Sequence, residues 1–216
     1  MDVRDPTPIV YLVDDDASVR SALARALSSF RYAVRACGSV DEFLDQHDPD
    51  AHGCVVADVS MPGRTGLELQ ELLAAQGCAR PIVFITAWGT VPMSVQAMRA
   101  GAVTFLPKPV HLSDLVGGVR EALERDRVRR ADLARRDSFN ARLDSLTRRE
   151  REVLNLVVTG RLNKQIAAEL GTALKTVKIH RGRVMAKMKV RTVAELVALT
   201  AAHHLDTESS QAQTRS

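Results

Sequence analysis

This chain of 216 residues has few cysteines, and it shows neither a long apolar run nor a leader-like segment. The three cysteines are odd in number and lack metal-ligand spacing, so we interpret Cys37, Cys54 and Cys78 as reduced thiols used as small apolar residues. No apolar run approaches the roughly 20 residues of a membrane-spanning helix. No basic segment followed by an apolar one stands at the N-terminus. These absences predict a cytoplasmic protein with no membrane partner.

The net charge of +4 is unevenly distributed along the chain. Residues 1–119 contain 9 Lys and Arg against 14 Asp and Glu, whereas residues 120–216 contain 21 against 12. The chain is long enough for two domains with separate cores. An acidic first half and a basic second half therefore predict two domains, the second of which binds a polyanion. Solvated charge without a partner is the alternative interpretation.

Short apolar runs alternate with helix-like segments throughout the first half. The predicted strands cover residues 9–13, 32–36, 54–57, 82–85 and 103–106. The predicted helices cover residues 18–30 (with Ser18 as N-cap), 40–46, 67–76 and 92–100, and a last one begins near Leu112. Five such strand–helix units predict a parallel sheet with helices on both faces and right-handed crossovers.

Polar side chains follow four of these strands at their C-terminal ends, where parallel sheets bind ligands. They are Asp14, Asp15 and Asp16 after the first strand, Asp58 after the third, Thr86 after the fourth and Lys108 after the fifth. Taken singly, Asp58 and Thr86 fit turn or cap positions, and Lys108 fits a solvated cation. Together they match the needs of a carboxylate that accepts a phosphoryl group beside Mg²⁺ and a cation.

These motifs resemble the receiver domain of two-component response regulators over about residues 8–125. The residues that carry the resemblance are Asp14-Asp15, the segment Asp58–Gly63, Thr86-Ala87 and Lys108-Pro109. The resemblance implies an α/β flavodoxin-like fold with strand order 2-1-3-4-5 and a cis Lys108–Pro109 bond. It implies that Asp58 accepts the phosphoryl group from a sensor histidine kinase. It further implies that Asp14, Asp15, Asp58 and the Ser60 backbone carbonyl bind Mg²⁺, that Thr86 and Lys108 bind the phosphoryl oxygens, and that Phe105 is the aromatic switch residue.

Trp88 lies two residues after Thr86, in the loop that leaves the fourth predicted strand. One interpretation is that its ring caps the next helix or covers apolar surface. In receivers, however, this position and that of Ser60 border the path of the water that hydrolyses the aspartyl phosphate. This second interpretation makes Trp88 a candidate for controlling access to the active site.

The second half begins a new unit with a capping box, Thr147–Glu150, ahead of an amphipathic segment that ends at Gly160. A second predicted helix covers residues 163–170, with Asn163 as N-cap and Gly171 at its C′ position. A third covers residues 175–188 and a fourth covers residues 192–203. Two short helices around a glycine turn, the second of them basic, predict a helix-turn-helix.

This half resembles the LuxR-type helix-turn-helix, and the whole chain resembles response regulators of the FixJ/NarL class, in the FixJ-like and styrene-regulator-like branch. The motifs are Leu146–Leu154, Asn163–Ala167 and Thr176–Arg181. The resemblance implies that Lys178 and Ile179 reach base edges. Asn163, Lys164, Lys175 and Thr176 would lie near phosphates, and Arg181, Arg183 and Lys187 complete the predicted DNA-binding set. The chain departs from the family at Ala173 and Gly182, where a capping serine and a polar or basic residue are usual.

The predicted organisation is a receiver over residues 1–120, a charged helical linker over 121–142, a small all-α domain over 143–205 and a disordered tail over 206–216. We interpret the chain as a transcription regulator. Phosphorylation would make the fourth helix, fifth strand and last helix of the receiver a homodimer surface, and the paired domains would bind double-stranded DNA. A phosphohydrolase is disfavoured because residue 60 is not an acid. A constitutive DNA-binding protein with a vestigial receiver is the other alternative.

Overall fold

The computed structural model describes residues 7–87 and 90–213, with side chains as far as His203. The chain forms two compact units, residues 1–131 and 132–216. Within the described residues, no helix combines the length and the apolar composition that a membrane span requires.

The first unit contains a five-stranded parallel sheet, β1 Ile9–Val13, β2 Ala33–Cys37, β3 Gly53–Asp58, β4 Ile82–Thr86 and β5 Thr104–Pro107. The strand order is β2-β1-β3-β4-β5, as the resemblance to receiver domains implies. The helices that connect or follow the strands are α1 Ala17–Ser29, α2 Val40–Gln46, α3 Gly66–Ala75, α4 Val91–Arg99 and α5 Leu112–Asp144. The boundary between the two units falls inside α5.

Two cores lie on opposite faces of this sheet because successive strand residues alternate between the faces. Tyr11 and Phe84 belong to one core, which α2, α3 and α4 cover. Leu12 and Val83 belong to the other, which α1 and α5 cover. Helices on both faces explain why the central strands are buried throughout.

The prediction of Ser18 as the N-cap of α1 is wrong, because Asp16 occupies that position. The Asp16 carboxylate accepts hydrogen bonds from the backbone N–H of Ser18 at 2.8 Å and of Val19 at 3.2 Å. These bonds lower the pKa of Asp16. The third acid after β1 therefore stabilises a helix end, a role that leaves the other two for ligand binding.

The three cysteines differ in exposure. Cys37 and Cys54 are buried in the cores, and Cys78 is partly exposed. Burial raises the pKa of the Cys37 thiol to about 11. Burial raises that of Cys54 to about 12.

Helix α5 is joined to the sheet by a buried ionic cluster that we call the α5 anchor, made of Asp126, Arg129 and Arg130. The Asp126 side chain is 0% exposed, and its carboxylate accepts hydrogen bonds from Arg129 Nη2 at 2.6 Å, Arg130 Nε at 2.8 Å and the Gly53 N–H at 3.0 Å. The Arg130 guanidinium also donates to three consecutive carbonyl oxygens, those of residues 49–51. The anchor ties α5 to the loop that enters β3.

The second unit consists of the end of α5 and four further helices, α6 Arg148–Val158, α7 Asn163–Glu169, α8 Leu174–Lys187 and α9 Val193–Gln213. Their apolar faces form one core around Leu154, Ile166, Val184 and Leu196. The predicted capping box is present, because Glu150 N–H donates to Thr147 Oγ1 and Thr147 N–H donates to Glu150 Oε2. Gly160 and Gly171 have φ of +80° and +60°, as expected after helix ends.

Two expectations for this unit differ from the structure. Leu162, not Asn163, is the N-cap of α7, and its N–H donates to the Gln165 side chain at 2.8 Å. Helix α9 continues to Gln213, so residues 206–213 are helical where the sequence predicts disorder. No glycine or proline interrupts this segment, whose Glu, Gln and Ala residues favour helix. Residues 214–216 lie outside the described part of the chain.

Candidate functional site

Three carboxylates meet at the C-terminal edge of the sheet. Val13 of β1 pairs with Ala57 of β3, so the next residues, Asp14 and Asp58, leave their strands at the same level. One carboxylate oxygen from each of Asp14, Asp15 and Asp58 lies within 4.8 Å of the other two. Three oxygen ligands at this spacing fit a hard divalent cation such as Mg²⁺, which often needs only one or two protein carboxylates.

Lys108 joins two of these carboxylates. Its Nζ lies 2.7 Å from Asp14 Oδ2 and 2.6 Å from Asp58 Oδ2. The Lys108 backbone N–H donates to the Thr86 carbonyl at 2.7 Å, and the Lys108–Pro109 bond is cis, as the resemblance implies. Burial lowers the pKa of the lysine, but the hydrogen bonds to Asp14 and Asp58 outweigh it and leave the pKa raised. The cation is therefore held in its charged form beside the candidate acceptor.

Asp14 is the most confined of the three acids. It is fully buried, and burial raises its pKa in spite of the hydrogen bond from Lys108. The hydrogen bond and charge of Lys108 therefore do not fully offset the cost of burying this carboxylate, and a divalent cation would favour its ionised form. The donor set and its charge both fit such an ion.

Arg20, at the end of the first turn of α1, is a site residue that the sequence did not predict. Its Nη1 donates to the backbone carbonyl of Asp14 at 2.5 Å and to that of Asp15 at 3.2 Å. These bonds fix the loop that presents both acids. The signal was available, because an arginine five residues after the acid pair lies one helical turn above the loop.

Asp58 is held on both oxygens. One accepts from Lys108, and the other accepts from the Ser60 backbone N–H at 3.1 Å. Ser60 itself is exposed, and the role of its carbonyl as a metal ligand stays a prediction. Thr86 ends β4 at the same edge and is 1% exposed.

Phe105, in β5, is partly buried and packs against the first core, with its ring centroid 6.1 Å from that of Phe84. Its role as a switch residue stays a prediction. Trp88 lies outside the described residues, so its role in controlling access to the site is also still a prediction.

Helix α8 presents a basic face on the second unit. Lys175, Lys178, Ile179 and Arg183 are exposed, whereas Val177 and Val184 are buried in the core on the opposite side. No side chain caps the start of α8 at Ala173, in keeping with the departure that the sequence shows there. The exposed face combines lysine donors with an apolar side chain, which suits the grooves of DNA.

Two of the predicted DNA-binding residues bind each other. Arg181 Nη1 donates to Asn163 Oδ1 at 2.7 Å. This hydrogen bond joins the start of α7 to the middle of α8. Arg181 and Asn163 are half-buried, Thr176 is also half-buried, and Lys164 is exposed. The Arg181–Asn163 bond therefore orients the two helices and keeps one guanidinium at the surface.

Lys187 has a structural environment that the sequence does not predict. Its Nζ lies 2.7 Å from Glu150 Oε2 and 2.8 Å from the Ser145 carbonyl. Glu150 is 2% exposed, and its pKa is lowered to about 2, first by the hydrogen bond from Lys187 and then by the Thr147 N–H. Lys187 therefore neutralises a buried acid, and its role in DNA binding stays a prediction.

Both halves of the chain match known protein families. The response regulator receiver domain family matches residues 10–120, and the family described as bacterial regulatory proteins, luxR family, matches residues 144–200.

Individual proteins are similar over nearly the whole length. Nodulation protein W of Bradyrhizobium diazoefficiens is 44% identical over 192 residues, which cover 89% of this chain and 85% of that protein. Transcriptional regulatory protein FixJ of Azorhizobium caulinodans is 40% identical over 190 residues, covering 88% of this chain and 90% of that protein. A low-resolution structure of the response regulator StyR is 45% identical with a TM-score of 0.87, and the match covers 91% of this chain and 99% of that one.

Proposed function

This chain belongs to the two-component response regulators that carry a LuxR-type DNA-binding domain, and from this we propose that Asp58 accepts a phosphoryl group from a sensor histidine kinase and that this event controls binding to promoter DNA. The observation that carries the proposal is the position of Lys108 Nζ, within 2.7 Å of both Asp14 and Asp58. A cation between a buried acid and a candidate acceptor suits phosphoryl transfer, in which charge must be neutralised.

The acceptor step uses residues at the ends of four strands, β1, β3, β4 and β5. An Asp58 carboxylate oxygen forms the new bond to phosphorus while the bond to the kinase histidine breaks. Asp14, Asp15 and Asp58, with the Ser60 carbonyl, would hold Mg²⁺, which supplies positive charge to the phosphoryl oxygens. Lys108 exchanges its hydrogen bond with Asp58 for one with a phosphoryl oxygen, and the Thr86 hydroxyl donates to another.

The response to phosphorylation involves the receiver surface and then α8. Reorientation of Thr86 and Phe105 would make α4, β5 and α5 a homodimer surface, and the paired domains would bind two half-sites of double-stranded DNA. Helix α4 exposes Val91, Val95 and Met98, apolar side chains of the kind that protein interfaces bury. A protein that binds the chromosome in this way acts in the cytoplasm.

The chain would act as a regulator and not as an enzyme on external substrates, since its chemistry is confined to its own acceptor. A phosphohydrolase that uses an aspartyl nucleophile would need a general acid–base near Asp58. Residue 60, two positions after the acceptor, is serine. Sustained turnover of a phosphate ester would contradict our proposal.

The direct test is selection of DNA fragments by the full-length protein with and without Mg²⁺ and beryllofluoride, a mimic of the aspartyl phosphate. We expect a common sequence to be enriched with beryllofluoride, together with a doubled mass in sedimentation. Equal enrichment and equal mass in both conditions would instead support constitutive DNA binding with a vestigial receiver.

We expect Lys178→Ala and Lys164→Ala to change the affinities for operator and random DNA in different ways. Removal of a base contact by Lys178→Ala should reduce discrimination against random DNA by about 1–3 kcal/mol, whereas Lys164→Ala should weaken binding to both DNAs alike. Titrations at several salt concentrations measure both effects.

The DNA affinity of the wild-type protein should depend steeply on salt. With about 6–10 phosphate contacts, affinity should fall about 10³–10⁵-fold between 50 and 200 mM salt.

Arg25→Ala is the control for loss of one positive charge, because Arg25 is exposed on α1 of the first unit, which is not part of the proposed dimer surface. It should leave both affinities unchanged. If Lys178→Ala weakened operator and random DNA equally, Lys178 would be a phosphate contact and the orientation of α8 would have to be revised.

A further inference from the structure

Glycine is among the least favourable residues inside a helix, so a helical glycine calls for a physical reason. Two helical glycines of this chain have a steric one. A Cβ at Gly66 would lie 2.3 Å from the Asp58 carbonyl oxygen, and a Cβ at Gly118 would lie 2.9 Å from a Thr104 methyl carbon. Both positions need glycine because another part of the fold occupies the space.

Gly182, inside α8, has no such reason within the described residues, and neither has Gly117 of α5, which lies outside the predicted DNA-binding unit. A Cβ at this position would meet no heavy atom within 4 Å, and its φ does not lie in the left-handed region. Neither packing nor backbone conformation in the folded chain therefore requires glycine here. A cause outside the chain would have to be a surface that approaches α8.

The place of Gly182 on the helix says which surface that would be. It is exposed, one turn after Lys178 and three residues after Ile179, on the face opposite the buried Val177 and Val184. Residues three and four apart lie next to each other on a helix. Gly182 is thus part of the basic face of α8 that, under the proposed function, contacts the bases; the second helix of a helix-turn-helix does so in the major groove.

We propose that Gly182 is a specificity-determining residue because the DNA lies against the α8 backbone there. Without a Cβ at residue 182, the helix sits deeper in the groove. This depth brings the Lys178 ammonium to base-edge acceptors and the 47% exposed Ile179 side chain to a thymine methyl group. Non-specific binding, which uses phosphates, does not need this depth. The inference rests on the proposed function and adds the reason for glycine at this position.

The test compares Gly182→Ala with Asn155→Ala in the full-length protein with Mg²⁺ and beryllofluoride. Asn155 is an exposed residue of α6, and alanine improves helix propensity at both positions. Both variants should melt a few degrees higher than wild type, which excludes misfolding as a cause of weaker binding. Only Gly182→Ala should lose affinity for the selected operator, by at least about tenfold, with affinity for random DNA within about twofold of wild type.

Each other outcome overturns the inference. Operator affinity of Gly182→Ala within twofold of wild type would mean that the glycine is neutral for DNA binding. An equal loss on operator and random DNA would mean a general defect, and a lower melting temperature would mean that the fold itself needs glycine. These results concern only Gly182, because wild-type selection of an operator tests the proposed function separately.

Discussion

Asp58→Asn is expected to abolish phosphoryl uptake completely. Asparagine preserves the size of the side chain but removes the carboxylate that Lys108 binds at 2.6 Å, and its amide is not a phosphoryl acceptor. Incubation with acetyl phosphate and Mg²⁺ should add the mass of one phosphoryl group to the wild type and none to the variant. Beryllofluoride should also no longer increase operator affinity in the variant, since the mimic binds to the same carboxylate.

Asp45→Asn is the matched control, because Asp45 is an exposed acid of α2 in the same unit. This variant should be labelled as fully as the wild type. A chelator should prevent labelling of both, since the three acids need a divalent cation beside the incoming charge. Labelling of Asp58→Asn at the wild-type level would move the acceptor to another residue and refute the assignment.

Asp126→Ala is expected to destabilise the first unit by about 3 kcal/mol, the lower end of the cost of removing one partner from a buried ion pair. The lower end applies because the side chains of Arg129 and Arg130 are 28% and 25% exposed and can reach water. The Gly53 N–H loses its acceptor as well. Unfolding in urea measures the change, and hydrogen exchange should show that residues 121–131 lose protection.

Glu124→Ala is the control for the α5 anchor, because Glu124 pairs with Arg127 on the exposed side of the same helix. Ion pairs at the surface contribute little, so this variant should unfold close to wild type. Equal unfolding midpoints for Asp126→Ala and Glu124→Ala would mean that the anchor does not stabilise the unit.

The sequence predicts well those features that each depend on a short stretch of chain. Apolar runs place all five strands to within a residue or two, and the acids that end β1 and β3 meet because both strands are parallel neighbours. The capping box at Thr147 is found as predicted because its two hydrogen bonds join residues only three apart. Local chemistry was sufficient in these cases.

The predictions that fail depend on choices between neighbours or on distant partners. Asp16 and Ser18 are both good N-cap residues, and only the backbone conformation after β1 selects Asp16. The ion pair between Lys187 and Glu150, 37 positions away, was not predicted, because nothing in the local sequence links the two residues. Asp126 stands where the spacing of Leu115, Val119 and Leu123 demands an apolar residue, so an anomaly was visible in the sequence. The sequence did not show that the Gly53 N–H, 73 positions away, is one of the hydrogen-bond partners of Asp126.

The unequal burial of the three thiols makes the unaltered chain suitable for site-specific labelling. Maleimides react with thiolates, and the raised pKa values and buried positions of Cys37 and Cys54 leave almost no thiolate there at neutral pH. Cys78, just after α3, is the partly exposed one. A fluorophore or spin label should therefore attach first at Cys78, in the receiver, without any substitution in the chain.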